Sequence, residues 1–226
     1  MPFWSTDIAY AIGLIATDGN LSKDARHISL TSTDKQLLRT FKKCLNIRNR
    51  ICGNPSGNPA GKMGFKVTLG NVQLYKKLQK IGLMPNKTFK LGRLEIPDKF
   101  LPDFLRGHID GDGSIIRYVD RHNSYKGKTY TYIRLYVAFH CASIRHIRWI
   151  RASIYRELGI KGSLNGWKDL KRQNVKKHWT LRFCKKESMT LLPYLYHKKD
   201  LPCLKRKRSI VLQFMHATGR RTGAHY

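Results

Sequence analysis

The stretch GLIATDG at residues 13–19 decides the fold, because it is echoed by GHIDGDG at residues 107–113. Glycine, isoleucine, aspartate and glycine occupy the same places in both copies, and equivalent residues lie 94 positions apart. Each copy ends an apolar segment that has the spacing of a helix. The repeat therefore predicts two related halves, residues 1–100 and residues 101–226.

The composition is that of a folded and strongly basic protein. Its 226 residues are 41% hydrophobic and 11% aromatic, enough for one large domain or two small fused ones. Lys and Arg total 44 against 14 acids, a formal net charge of +30, and both halves are basic. Such an excess repels itself unless an acidic partner neutralises it. Nucleic acid is the favoured partner, with an anionic membrane surface as the alternative.

Two further features of the sequence bear on membrane insertion and on the redox state of the compartment. No apolar run is long enough to cross a bilayer, and the N-terminus lacks the pattern of a signal peptide. The five cysteines are scattered without a CxxC pair, which argues against a zinc site or a disulfide framework. They are expected to be buried, unpaired thiols of an intracellular, reducing compartment such as the cytoplasm or an organelle. They are Cys44, Cys52, Cys141, Cys184 and Cys203.

The hydrophobic pattern after each motif predicts strands, a helix, more strands and another helix. Alternation of polar and apolar residues indicates strands at 26–31, 62–69, 132–140 and 178–183. Helical spacing indicates helices at about 33–45, 71–81, 143–158, 186–197 and 204–216. Polar or Gly/Pro-rich segments at 52–62, 120–128 and 165–177 are predicted loops. We therefore predict an α+β fold with two pseudo-symmetric αββαββα half-domains, whose antiparallel sheets lie side by side.

Two pairs of glycines in the repeat have distinct expected roles. Gly13 and Gly107 lie inside the motif helices, where glycine costs about 1 kcal/mol relative to alanine. An interior glycine is understandable if the two helices approach each other closely there, so we expect these helices to form the joint between the halves. Gly19 and Gly113 follow the helix ends, where a positive φ is favoured.

The last aspartate of each motif is a candidate metal ligand. Asp18 and Asp112 lie at the negative ends of helices, where a carboxylate is unfavourable unless a cation compensates it. Packing of the two helices would also bring the two carboxylates together. Hard oxygen ligands favour Mg²⁺ or Ca²⁺, and the backbone carbonyls of Thr17 and Gly111, which would be free at the helix ends, could add ligands. The alternative is that Asp-Gly is simply turn chemistry.

The polar sides of the four predicted strands carry no acid. Basic groups there can neutralise phosphates, while Arg, Ser, Thr and Tyr can also reach base edges in a groove. An ordinary solvated sheet face is the alternative. The candidate DNA-contacting residues are His27, Ser29, Thr31, Lys62, Lys66, Thr68, Tyr132, Arg134, Tyr136, His140, His178, Thr180 and Arg182.

The two motifs resemble the signature of LAGLIDADG homing endonucleases, in the single-chain form with two fused half-domains. The second motif, residues 105–113, runs on into Ser114-Ile115-Ile116 as in that family, whereas the first, residues 11–19, has Ala16 in place of the first acid. The resemblance covers nearly the whole chain. It implies that the sheets form a saddle for DNA and that each last aspartate binds a divalent metal and serves cleavage of one strand. A double-strand break in a long target site is therefore expected, as in intron or intein homing.

The resemblance also implies a basic residue near each metal site. Lys207, in the basic segment before the final helix, and Lys87, at the corresponding place in the first half, are the matching positions. Phosphate contact or plain solubility is the alternative for both. The expected cofactor is Mg²⁺, with Mn²⁺ or Ca²⁺ able to substitute in binding. The expected partner is double-stranded DNA, bound by a monomer without an obligate protein partner and without a membrane.

Two other functions are compatible with the same fold. One is an RNA-splicing maturase, which would bind intron RNA without cleaving it, and the other is a DNA-binding regulator that does not cleave. Both acids, Asp18 and Asp112, are intact, and binding alone gives no reason to keep them. The sequence therefore favours the endonuclease.

Overall fold

The computed structural model describes residues 3–54, 63–168 and 177–217. The first half contains α1 (Thr6–Thr17), β1 (Gly19–Leu21), β2 (His27–Ser32), α2 (Lys35–Cys44), β3 (Ile51–Asn54), β4 (Gly64–Gly70) and α3 (Val72–Lys80). The second contains α4 (Leu101–Asp112), β5 (Ser114–Tyr125), β6 (Lys128–Cys141), α5 (Ile144–Leu158), β7 (Ser163–Trp167), β8 (His178–Phe183), α6 (Lys185–Leu195) and α7 (Lys205–Ala217). Short 3-10 turns cover Lys87–Phe89 and Asp98–Phe100.

Each half contributes one antiparallel sheet with the same strand order. The first sheet runs β1-β2-β4-β3 and the second runs β5-β6-β8-β7. The buried apolar side chains form one continuous cluster that includes both motif helices and residues of both sheets. The predicted α+β class, with two antiparallel sheets and packed motif helices, is confirmed.

Helix α1 is buried because its surface is apolar nearly all round, whereas α4 also buries polar and charged side chains. Ser5 caps α1, since its hydroxyl accepts a hydrogen bond from the Ile8 amide at 3.1 Å. Every residue from Ala9 to Ala16 is buried. The second helix, α4, has a proline in its first turn and is buried from Leu101 to Asp110.

The two motif helices cross at Gly13 and Gly107, and no larger residue fits there. A Cβ atom on Gly13 would lie 2.2 Å from the carbonyl oxygen of Phe104, and one on Gly107 would lie 2.1 Å from that of Tyr10. The helix backbones are therefore in direct contact, as the interior glycines predict.

The prediction of a positive φ at Gly19 and Gly113 is wrong. Neither residue has a positive φ, and Gly113 is extended at φ −87°. A Cβ atom at Gly19 would instead lie 2.5 Å from the Ile15 Cα, and one at Gly113 would lie 2.5 Å from the Ile109 Cα. Glycine is needed because the chain folds back onto the last turn of its own helix.

The predicted loops are only partly loops. The segment 120–128 is the tip of a long hairpin, in which Lys126 and Gly127 both have a positive φ and connect β5 to β6. Such a two-residue turn matches the twist of the flanking strands. Strand β3 occupies the start of the predicted loop 52–62, and β7 occupies the start of the loop 165–177. The remainders, 55–62 and 169–176, lie outside the described residues.

All five cysteines are unpaired, as expected, but not all are buried. Cys44 and Cys203 are buried, whereas Cys52 and Cys184 are exposed. Cys52 lies in the edge strand β3 and Cys184 lies between β8 and α6, where the side chain has no core to enter. In the part of the chain that the structure describes, no helix is long and apolar enough to cross a membrane.

Candidate functional site

The last aspartates of the two motifs lie side by side at the C-terminal ends of α1 and α4. A Cβ atom on Gly111 would lie 3.2 Å from Asp18 Oδ2, so the Asp18 carboxylate abuts the residue that precedes Asp112. Burial, with the Asp112 charge as a second cause, raises the pKa of Asp18 to about 7. Burial also raises the pKa of Asp112, whereas the positive charges of Lys87, His140 and Lys207 lower it. Among the described residues, neither carboxylate accepts a hydrogen bond.

Each of these carboxylates faces a cleft of its own. The Asp112 cleft is lined by Lys87 of the first half and by His140 and His178 of the second. The Asp18 cleft is lined by Thr31 of the first half and by Gly111 and Arg206 of the second. Residues of both halves thus surround each acid, because the packed helix ends project into both clefts.

Lys87 is placed by the short turn that follows Asn86, which has the left-handed φ of 54° that asparagine tolerates. The buried ammonium donates to the carbonyl oxygens of Thr17 at 3.0 Å and Gly19 at 2.5 Å. Burial lowers the pKa of Lys87, while Asp112 and Asp18 raise it. The lysine therefore caps the C-terminal end of α1 and brings a positive charge to both acids.

Lys207 has the same position on the second motif. Its ammonium donates to the carbonyl oxygens of Ile109, Asp110 (3.1 Å) and Gly113 (2.7 Å). Burial lowers the pKa of Lys207 to about 8, against the opposing effect of Asp110. Lys87 and Lys207 thus neutralise equivalent helix ends.

The predicted carbonyl ligands are in different situations. The Thr17 carbonyl accepts a hydrogen bond from Lys87, so the expectation that it is unengaged is wrong. The cause is that Lys87 already satisfies the end of α1. Gly111 packs against Thr17, whose Oγ1 would lie 2.0 Å from a Cβ atom at that position.

The first acid of the second motif, Asp110, has a structural environment that the sequence pattern does not predict. Its Oδ2 accepts hydrogen bonds from the Tyr10 hydroxyl at 2.8 Å and the Leu204 amide at 2.7 Å. Burial raises the pKa of Asp110 to about 6. Asp110 thereby ties α4 to α1 and to the start of α7. In the sequence, the one feature that distinguishes Asp110 is that the first motif has Ala16 at the equivalent position.

A buried ion pair at the start of α4 is likewise absent from the sequence-based expectations. The Arg106 guanidinium is fully buried and pairs with Asp103 at 2.8 Å. It also donates to the carbonyl oxygens of Leu195 at 2.7 Å and Pro202 at 2.8 Å. These partners satisfy the buried charge and fix α4 against the segment that leads to α7.

His140 lies at the edge of the Asp112 cleft, within a short chain of hydrogen-bonding side chains. Its Nδ1 is 3.0 Å from the Thr180 hydroxyl, and its Nε2 is 3.3 Å from the Ser114 hydroxyl. Burial lowers the pKa of His140, although Asp112 opposes that effect. Asn20, Thr31 and Lys66 have the equivalent sheet positions beside Asp18, so only the second cleft has an imidazole at this place.

The polar face of the first sheet carries most of its predicted DNA-contacting residues. Thr31 opposes Lys66, and Ser29 opposes Thr68, so all four lie on one face. Ser29 departs from the prediction, because it is only 4% exposed between the neighbouring strands. His27 Nδ1 lies 2.5 Å from the Asp24 carboxylate, which would compete with DNA for the imidazole. Lys62 lies outside the described residues.

The equivalent face of the second sheet carries Tyr132, Arg134, Tyr136, His140, His178, Thr180 and Arg182. The expectation that this face lacks acids holds for the four predicted strands but not for their neighbour β5. Asp120 of β5 lies 2.9 Å from the Arg134 guanidinium. Arg182 is exposed, and its guanidinium lies 5.2 Å from the Tyr136 ring centre.

The donor set at the helix ends is compatible with a divalent cation. Two carboxylates without hydrogen-bond donors stand together, and the proximity of Asp112 raises the pKa of Asp18. A hard cation would relieve that repulsion and take carboxylate oxygens as ligands. Within the described ranges no group of three or more His, Cys, Asp or Glu is suited to a metal, so the protein would supply few ligands. Mg²⁺, which retains several waters, fits such a site.

Comparison with known proteins identifies the fold. Residues 5–57, which include the first motif, match the model of the LAGLIDADG-like domain. No curated protein sequence matches the chain significantly.

Solved structures match nearly the whole chain. The LAGLIDADG homing endonuclease I-LtrWI bound to target DNA is 17% identical with a TM-score of 0.55, over 94% of this chain and 91% of that one. The meganuclease I-AabMI bound to uncleaved DNA is 13% identical with a TM-score of 0.53, over 97% and 94%. Full-length DUF199/WhiA from Thermatoga maritima is 14% identical with a TM-score of 0.53, over 97% and 69%.

Proposed function

We propose that this protein, whose chain has the two-motif LAGLIDADG fold, is a site-specific endonuclease that makes a double-strand break in DNA. The main support is the pair of carboxylates Asp18 and Asp112, which accept no hydrogen bond from the described residues and lie at the ends of two helices in backbone contact. Each faces its own cleft, so one acid is available for each strand. The target is a long duplex site, and homing of an intron or intein is the proposed biological setting.

Asp18 and Asp112 would hold the divalent metal, with Mg²⁺ as the proposed ion and Mn²⁺ or Ca²⁺ as substitutes in binding. The carbonyl of Gly111 is a further proposed ligand, as is that of Thr17 through the lone pair that Lys87 leaves unused. When bound, the metal supplies an activated water and stabilises charge on the phosphate oxygens.

The protein itself supplies fixed positive charge around the phosphate. Lys87 and Lys207 are held by backbone carbonyls, so their ammonium groups are positioned before DNA binds. Such preorganised charge favours the transition state because no reorganisation is needed at the moment of reaction. We assign both lysines a supporting catalytic role.

The two polar sheet faces form the proposed DNA-binding saddle. Thr31, Lys66 and Thr68 on the first sheet, with Tyr136, Thr180 and Arg182 on the second, can contact phosphates and base edges. Single-chain organisation, with both acids on one polypeptide, supports action as a monomer. The DNA-bound relatives support duplex DNA as the substrate.

The decisive experiment is cleavage of a plasmid library that carries random long inserts, with and without Mg²⁺. Wild-type protein should linearise a subset of plasmids only when the metal is present. Asp112→Asn and Asp18→Asn should each reduce double-strand cleavage by about a hundredfold or more, because a metal contributes several kcal/mol to such transition states. Binding of the selected duplex should change less than about threefold in both variants.

Asp98→Asn is the matched control, because Asp98 is an exposed acid near the opposite end of α4. It should cleave like the wild type. Equal loss of binding and cleavage in Asp112→Asn would contradict the metal role. Wild-type protein that binds intron RNA tightly but never cuts DNA would identify a maturase, and sequence-specific DNA binding without cleavage would identify a regulator.

A further inference from the structure

The hairpin of β5 and β6 extends well beyond the second sheet. The two strands pair from Lys128 to Ala138 of β6, with one irregularity in β5 between Asp120 and Asn123, whereas β8 pairs with β6 only between Val137 and Cys141. The part of β6 from Lys128 to Tyr136 is therefore in a two-stranded ribbon, which spans roughly 30 Å at the usual rise of a strand. A two-stranded β-ribbon is narrow enough to enter the major groove of B-DNA.

One face of this ribbon exposes large apolar side chains. Ile116 opposes Tyr136, and Tyr118 opposes Arg134, so all four share the proposed DNA face. Ile116 is 49% exposed, Tyr118 is 46% exposed, and Tyr132 on the same face is 47% exposed. Contiguous exposed apolar surface of this kind commonly marks an interaction site.

Positive charge borders the apolar surface. The Arg134 guanidinium lies 5.4 Å from the Tyr132 ring centre, and that of Arg182 lies 5.2 Å from the Tyr136 ring centre. Asp120 pairs with Arg134 at the same edge, which orients that guanidinium. Guanidinium groups beside apolar side chains suit a surface that offers both phosphates and apolar base edges.

The first sheet has no such surface. Its equivalent face carries Asn20, Thr31, Lys66 and Thr68, and among the described residues no exposed large apolar side chain lies on it. The two halves therefore present different chemistry to the two halves of a bound duplex, despite their common topology.

We infer that the β5–β6 ribbon selects thymine in its half of the target, through contact of Ile116, Tyr118 and Tyr132 with thymine C5-methyl groups. The thymine methyl is the apolar group that bases present in the major groove. The half-site under the first sheet is read by polar contacts instead. This inference rests on the proposed function and specifies the substrate of that same surface.

The test uses a duplex selected from a random library by wild-type binding without Mg²⁺. Thymine is replaced by uracil, which lacks only the methyl, in one half-site at a time. Uracil in the half-site under the ribbon should weaken binding about fourfold for each methyl group that the ribbon touches, and uracil in the other half-site should change it less than about twofold. In Ile116→Ser the discrimination against uracil should fall by the same factor.

Val119→Ser is the matched control, because Val119 is 40% exposed on the opposite face of the same strand. It should discriminate against uracil like the wild type, and thermal unfolding should show that both variants are folded. A thymine-free half-site, equal uracil effects in both halves, or an effect that persists in Ile116→Ser would overturn the inference. Failure to bind or cut any duplex would instead overturn the proposed endonuclease function.

Discussion

At the scale of single residues, the two acids of the second motif have opposite surroundings. Asp110 is buried and accepts hydrogen bonds from Tyr10 and Leu204, whereas Asp112 faces a cleft and accepts no hydrogen bond from the described residues. The first acid is therefore suited to holding helices together, and the second is available to a ligand. The two roles can be separated by mutation, because loss of Asp110 should change stability and loss of Asp112 should change cleavage.

Replacement of Asp110 should lower stability. Asp110→Ala leaves the Tyr10 hydroxyl and the Leu204 amide without their acceptor, and each unsatisfied buried group costs about 1–3 kcal/mol. Relief from burying the carboxyl offsets part of this penalty, so we expect a net loss of about 2 kcal/mol in urea unfolding. Asp112→Asn should not lower the free energy of unfolding, because it removes a carboxylate whose charge is disfavoured by burial and repels Asp18. Equal losses in the two variants would contradict the division of roles.

Two buried histidines should make the fold sensitive to acid. His108 and His146 stack with ring centres 5.3 Å apart, and His146 Nδ1 donates to the Gly92 carbonyl at 2.7 Å. Burial lowers the pKa of His146 to about 4, and burial also lowers the pKa of His108 well below its usual value. Both rings are therefore neutral in the folded protein at neutral pH.

The sign of the pH effect follows from proton uptake on unfolding. An unfolded histidine binds a proton below about pH 6.5, whereas folded His146 does so only below about pH 4. Its stabilising contribution is full above about pH 6.5 and is lost as the pH falls toward about 4. His146→Gln keeps a donor for Gly92 and should reduce the slope of stability against pH by about 1.4 kcal/mol per unit. Urea unfolding between about pH 4.5 and 7 measures this, with His122→Gln on the outer part of β5 as the control.

At the scale of elements, the crossing of α1 and α4 depends on the absence of side chains at two positions. Gly13→Ala would place a methyl group 2.2 Å from the Phe104 carbonyl oxygen, which is backbone and cannot rotate away. Alanine normally stabilises a helix relative to glycine by about 1 kcal/mol, so the expected sign is reversed here. We expect a loss of about 3 kcal/mol in the free energy of unfolding, at the upper end of overpacking costs.

Gly92→Ala is the control for that substitution, since nothing lies within 4 Å of its Cβ position and its φ is not positive. It should leave the unfolding midpoint within experimental error or raise it slightly, by reducing the freedom of the unfolded chain. If Gly13→Ala were as stable as Gly92→Ala, the helices would have to separate without cost, and the close packing would not hold the halves together.

Most elements can be predicted from the sequence because their patterns are local. Alternation locates β2, β4 and β8, and the repeat locates both motif helices. Residues 120–128 at the ribbon tip have the pattern of a loop because they are largely polar and no core lies beneath them. The glycines after the motifs suggest a positive φ, but contact with the preceding helix turn is what requires them.

Residues of the candidate site can be predicted only if they belong to the repeat or match a position of the family that the chain resembles. Asp18 and Asp112 stand out because they recur at matching places, whereas Lys87 and Lys207 come from the resemblance. The hydrogen bond between Tyr10 and Asp110 joins residues 100 positions apart, and no local pattern encodes such a partner. The same applies to the stacked pair His108 and His146, each of which alone looks like an ordinary helix residue.

At the scale of the whole molecule, the formal charge of +30 is the main determinant of which partners the protein attracts. The described structure pairs few of these charges, and several of the ion pairs that it contains are exposed, such as Arg93 with Glu95. Exposed pairs add little to stability and are screened by salt. The excess positive charge therefore favours binding of a polyanion and, without one, opposes the compact state.

Binding of duplex DNA should consequently depend steeply on salt. Each phosphate neutralised contributes about −0.9 to the slope of log K against log salt, so affinity should fall by about a thousandfold or more between roughly 50 and 200 mM. Arg182→Ala, on the proposed DNA face, should flatten the slope by about 1. Arg156→Ala, on α5 in an exposed pair with Asp98, should leave it unchanged. Fluorescence anisotropy across a salt series measures both. An equal effect of the two substitutions would mean that binding follows net charge alone, and that the face of the second sheet does not contact the DNA.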